Sequence, residues 1–227
     1  MLDNINNSNY SISFAARPKL KKVLPQVKNA IFRTLPGVES PNKYAMAGDS
    51  ASDTFKDLNN RLGFIRAFIK TLYADGGLPE HFRGLIGIVQ AFKVAHCDEF
   101  AEITKTVLKA NGVKNCDMFE LYALKPNSKE KPRKLDHMIT AIGIKKSQND
   151  KQKLRPFIPR PNTIIMDTYL DGYIGTAKNV KKKYKIFGLE PDEILMFRPV
   201  RTYEPDKASL ETVRHKFPSL VVNKKYN

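Results

Sequence analysis

The apolar residues of this chain change their period once, and that change limits the fold more than any other feature. From Phe55 to Ala110 they recur every three or four residues, the spacing that lines one face of an α-helix. Leu58, Leu62, Ile65, Phe68, Ile69 and Leu72 form one run, and Gly76-Gly77 marks its end. Phe82, Leu85, Ile86, Val89 and Phe92 form a second, opened by Pro79, a residue suited to a first helical turn. Phe100, Ile103, Val107 and Ala110 form a third, which starts at Cys97 and meets a stop at Asn111-Gly112. Short extended segments then take over at 118–124, 137–144 and 163–167, with further strands expected at 184–187 and 193–197. Helices followed by a sheet is the order of an α+β domain, the fold class expected here.

Outside this region the pattern is weaker. Residues 1–53 are rich in Asn, Ser and Pro and read as a polar, partly mobile segment, with a helix over 20–35 broken at Pro25. Residues 206–227 read as a basic tail with a short helix near 210–213. Residues 54–205 remain as the domain that carries chemistry. With 41% hydrophobic residues in 227, the chain has material for one core and is not of disordered composition.

The formal charge of +16 favours acidic partners: an acidic protein surface, an anionic membrane or nucleic acid. It carries no chemistry itself, and nucleic-acid binding is not the favoured reading. Two cysteines, Cys97 and Cys116, are too few for a disulfide scaffold and read as free thiols. No uninterrupted apolar run reaches the roughly 18 residues of a membrane span. The start, MLDNINNSNYSISF, lacks the basic and apolar regions of a secretory signal.

A thiol attacks as the thiolate, so a catalytic cysteine needs something that favours that form. A helix N-terminus and an imidazolium both do so. Cys97 opens the third helix, whose first-turn N–H groups are also potential oxyanion donors. Of the four histidines, His81 lies on a core helix, His96 adjoins Cys97 in sequence, and His215 sits in the tail. His137 opens a strand and shares a face with Ile139 and Ala141, which aims its ring rigidly. Asp167 closes the next strand after Ile164-Ile165-Met166, where a carboxylate needs a partner. Helix start and strands thus deliver Cys97, His137 and Asp167 as nucleophile, base and orienting acid. Asp98 and Glu99 work against a thiolate at Cys97, yet also suit a helix N-terminus. Each residue alone has a structural explanation, and Asp167 also fits a turn cap with Asp171-Gly172.

The stretches His96-Cys97-Asp98-Glu99-Phe100-Ala101, Asp136-His137 and Ile165-Met166-Asp167 resemble the papain-like and transglutaminase-like superfamily of Cys-His-Asp enzymes. They are most similar to its branch among bacterial effectors. The resemblance spans about residues 80–200. It implies a papain/transglutaminase-like fold, with N-terminal helices and the nucleophile helix packed on an antiparallel sheet. It also implies Gln90 as an oxyanion side chain. Two departures stand out: Ala95-His96 where the family often has Gly-Asn, and Thr168-Tyr169 where it often has Pro-Trp. His96, Tyr169 and Tyr173 are candidates to line the substrate groove.

The expected function is thiol-dependent acyl transfer on protein amides, of transglutaminase-like or glutamine-deamidating type. A papain-like protease is the first alternative, and a non-catalytic basic module the second. Lysine clusters at 125–134 and 178–185 would frame the cleft and dock an acidic protein surface or an anionic membrane. The expected substrate is a host or cellular protein, with no cofactor and no metal: the chain has no paired ligand spacing and no glycine-rich phosphate loop. The expected location is the bacterial cytoplasm, with delivery into a host cell by a specialised secretion system.

Overall fold

A computed structural model describes residues 17–40, 48, 51–144, 155–200 and 205–222. The N-terminal start and residues 145–154 of the basic loop at 145–162 lie outside these residues. The chain runs α1 (Arg17–Thr34), α2 (Asp53–Phe92), α3 (Cys97–Ala110), β1 (Cys116–Leu124), β2 (Arg133–Ile142), β3 (Ile164–Asp167) and β4 (Tyr173–Thr176). It continues through α4 (Ala177–Val180), a 3-10 turn (Lys183–Phe187), β5 (Ile194–Pro199), α5 (Lys207–Lys216) and a last 3-10 turn (Pro218–Leu220). Mixed helix and strand in this order make it an α+β protein, as expected.

Two helices override their local breakers. A proline inside a helix costs about 3 kcal/mol. Yet α1 continues through Pro25, because Leu24, Val27, Ala30 and Ile31 are all buried. The N-terminal segment therefore supplies part of the core. In place of the two helices expected around Gly76-Gly77, α2 is a single helix of 40 residues. Glycine costs about 1 kcal/mol in a helix and proline about 3. Burial of Leu58, Leu62 and Ile65 at one end, and of Phe82, Leu85, Ile86 and Val89 at the other, outweighs that. Ser52 caps the helix by accepting from Phe55 N at 3.1 Å. In the tail, α5 places Val213 in the core.

The five strands form one antiparallel sheet in the order β4-β3-β2-β1-β5. Its Cys116, Ile142 and Met166 join the core that packs on α1, α2, α3 and α5. Alternate residues Phe119, Leu121, Ile139, Ala141, Ile165 and Phe197 build a second core with Val180 and Tyr184. The period-two pattern read from the sequence sorts residues between these faces.

Two strand expectations change. Residues 184–187 form a 3-10 turn, not a strand: Tyr184 and Phe187, three apart, point the same way, and Gly188 ends the turn at φ 81. Strand β4 carries little apolar signal and was not expected. It forms because Leu170 to Tyr173 make a tight turn, with φ 50 at Asp171 and φ 66 at Gly172. Two successive positive φ values are the hairpin geometry that glycine and aspartate tolerate. The pairing of β2 with β1 also slips: Leu135, Asp136 and His137 stand opposite Leu121 alone. Such irregularities re-aim side chains.

Candidate active site

Cys97 is the first residue of α3 and is 8% exposed. The turn before it is fixed by Glu99 Oε2, which accepts from His96 N at 2.8 Å. His137 comes from β2 and Asp167 from the end of β3, and both are buried. His137 Nε2 lies 2.7 Å from Asp167 Oδ2. The same carboxylate accepts from Tyr184 Oη at 3.2 Å and, through Oδ1, from Leu170 N at 3.1 Å. An ionised carboxylate only accepts, so Nε2 is the donor in this contact. Nδ1 is buried and has no hydrogen-bond partner among the described residues. The ring is held on one side by Phe187, stacked at 3.7 Å with planes 8° apart. Tyr169 and Tyr184 flank it with ring centres 5.4 and 5.5 Å away.

Cys97 meets the same strand one residue further on. The backbone N–H of Met138 is directed at its sulfur. His137 shares its face with Leu135 and Ile139, while Thr140 on the other face donates to Ala101 O of α3 at 2.9 Å. The thiol therefore reaches β2 from the α3 side. Tyr169 spans the two sides: it packs edge-on against Phe100 of α3 as well as beside His137. Cys97, Met138, Thr140, Met166, Asp167 and Tyr169 line a crevice too tight to admit a water molecule.

The electrostatics do not favour a resting thiolate. Burial pushes the Cys97 thiol up to about 12, and the carboxylates of Asp98, Asp136 and Asp167 add to this, against the Met138 N–H. The helix N-terminus alone does not activate this cysteine, and the opposition expected from Asp98 is present. Tyr169 is likewise pushed up to about 12, first by burial, and its oxygen accepts from Ser40 Oγ at 3.0 Å. Burial and then Arg66 lower the pKa of His96.

The other sequence candidates separate. Tyr169 is in the crevice. His96 caps the helix beside Cys97, with Nε2 buried and unpartnered. Tyr173 stands opposite Asp167 on β4, half-buried and packed on the second core. Gln90 is elsewhere: it donates to Thr34 O at 2.7 Å and, with Arg33 and Lys93, lines an open cavity of about 570 Å³. Its helix face, set by the core positions of α2, turns it towards α1. His81 pairs with Glu102 at 2.7 Å, linking α2 to α3. Cys116 is fully buried. Tyr184, Phe187 and Arg66 border the site and were not singled out. The i, i+3 spacing of Tyr184 and Phe187 was the one available signal.

Among the described residues no His, Cys, Asp and Glu group is suited to hold a metal, and no helix is long and apolar enough to cross a membrane. What fold and site define is an α+β protein with a buried His–Asp pair beside a helix-start thiol. No family model, curated protein or solved structure matches this chain.

Proposed function

We propose that this protein is a cysteine-dependent acyl-transfer enzyme acting on protein amides, of the papain-like or transglutaminase-like type. The observation that carries the reading is the buried His137–Asp167 pair, whose second ring nitrogen has no partner among the described residues, with a helix-start thiol lining the same crevice as Asp167. A histidine so oriented is a general base looking for a proton.

The neutral resting thiol makes this a general-base mechanism rather than one with a preformed ion pair. Nδ1 takes the Sγ proton as sulfur adds to the amide carbonyl. First-turn N–H groups of α3 face the developing oxyanion. The imidazolium then returns its proton to the leaving ammonia or amine, and the C–N bond breaks to leave a thioester. Water or an amine attacks the thioester, Nδ1 removes the incoming proton, and the thiol is restored. Sγ and Nδ1 must come within hydrogen-bond reach for this step. Catalytic contacts of this kind commonly tighten only in the substrate complex. Glutamine side chains are the favoured amides, and the favoured setting is a bacterial effector acting on host proteins, with the basic loops contacting an acidic surface.

The test is mass spectrometry of a host lysate treated with the protein or with Cys97→Ala. Cys97-dependent glutamine deamidation or cross-linking supports the proposal. New peptide termini without altered glutamines would instead show a protease. A second reading, a non-catalytic basic module, is favoured by the buried, protonated thiol. No Cys97-dependent change in the lysate, together with salt-sensitive binding to an acidic partner, would establish it.

A further inference from the structure

We infer that Arg66 is a positioning residue for Cys97: it clamps the first turn of the thiol's helix and offsets the carboxylates there. The role as nucleophile support rests on the function proposed above. Arg66 projects from α2 beside the buried anchors Leu62 and Ile65. Its Nη2 donates to both oxygens of Asp98, at 2.8 and 2.7 Å, and its Nε donates to Glu99 Oε1 at 3.0 Å. The other oxygen of Glu99 holds His96 N at 2.8 Å. The residues on both sides of Cys97 are thus tied into one chain that ends on a guanidinium from another helix. The planar guanidinium spreads over two carboxylates, Nη2 on Asp98 and Nε on Glu99, which fixes orientation as well as charge.

The charge matters because the thiol is surrounded by acids. Asp98 flanks it on its own helix, Asp136 comes from β2 and Asp167 from β3. Neutral Tyr169 and His96, the latter lowered towards its uncharged form, complete the surroundings. Asp98 is the acid that weighs most on the thiol, and it is the one Arg66 grips. Glu99, 6% exposed, has its carboxyl raised to about 7 by burial and by Asp98, with Arg66 opposing that rise. Without Arg66, both acids would lose the charge that balances them, and the first turn would lose its tie to α2.

The test is the rate of Cys97 alkylation by iodoacetamide as a function of pH, followed by peptide mass spectrometry on the full chain. This reads the thiol without any turnover, so failure of the enzyme proposal and failure of this one are distinguishable. Arg66→Gln is expected to displace the rising part of the profile to higher pH. Each unit of displacement slows alkylation about ten-fold at fixed pH. Arg66→Lys, which keeps the charge and loses the fork, falls between. Asp98→Asn moves the profile the other way, and in that background Arg66→Gln loses most of its effect. A merely structural arginine gives a different result: Arg66→Gln loosens the fold and speeds alkylation at every pH. An unchanged or faster profile overturns the inference. If Arg66→Gln does not fold, an unmoved profile in Asp98→Asn and Arg66→Lys overturns it as well.

Discussion

Replacing Asp167 separates the structural work of the buried pair from its chemical work. In Asp167→Ala three donors lose their acceptor at once: His137 Nε2, Tyr184 Oη and Leu170 N. The first two lie in an interior where Asp167 is 2% exposed and Tyr184 0%, and the Leu170 contact is partly buried. Hydrogen bonds to a charged group contribute about 1.5–3 kcal/mol each. Removing the buried carboxylate also removes its desolvation cost. The net expectation is the loss typical of a broken buried pair, about 3–5 kcal/mol. Asp167→Asn is milder. Its oxygen still accepts from Leu170 N, so the loss is closer to that of one net hydrogen bond, about 1 kcal/mol. Its amide N–H now faces Nε2, however, and forces the imidazole into the tautomer with the proton on Nδ1. That nitrogen can no longer accept from a thiol. In a serine triad the corresponding change lowers turnover roughly 10⁴-fold. Urea unfolding measures the first pair of quantities, and glutamine-directed acyl transfer the last. An Asp167→Asn protein that retained wild-type turnover would refute the tautomer argument. An Asp167→Ala protein within about 1 kcal/mol of wild type would refute the assignment of the pair as a structural anchor.

Three further outcomes are expected. With its thiol near 12, Cys97 in the folded protein should be alkylated about ten-fold faster for each pH unit between 7 and 10; a plateau below pH 9 would show a preformed thiolate. Burial would lift Glu120, but Lys134 and Arg198 outweigh it and hold its carboxyl below the usual 4.5. A depressed acid adds stability that is present above 4.5 and lost as pH falls through the lower, folded value. Glu120→Gln should therefore flatten acid unfolding in that window, and an unchanged curve counts against the Lys134 and Arg198 pairing. Phe197 is fully buried between Phe119 and Phe157, and Phe197→Ala should cost about 3–5 kcal/mol in urea unfolding.

Much of the fold was legible because it rests on local periodicity. The third helix, its start at Cys97, its stop at Asn111-Gly112 and the strands expected at 118–124, 137–144 and 163–167 follow from spacing that few residues decide, although the second begins earlier, at Arg133, so that His137 lies within it and does not open it. The breakers misled for the converse reason. Pro25, Gly76, Gly77 and Pro79 state a local preference of a few kcal/mol, and burial of α1 and α2 against α3, α5 and the last 3-10 turn exceeds it. The turn at 183–187 was misread because the spacing of Tyr184 and Phe187 fits a 3-10 turn as well as a short strand. Only the His137 ring beneath them shows which one forms.

For the site, local pattern was enough to show which chemical groups stand where: a thiol at a helix start, an imidazole on an alternating strand, an acid closing the next. Their state depends on long-range packing. Antiparallel pairing of β2 with β3 brings His137 onto Asp167 across 30 residues of chain, which no local pattern encodes. Packing of α2 on α3 brings Arg66 to Asp98 and Glu99 across more than 30. Burial then sets the thiol high, against what a helix N-terminus alone would do. Desolvation and charge depend on every atom around a group, and those neighbours come from parts of the chain that meet only when it folds.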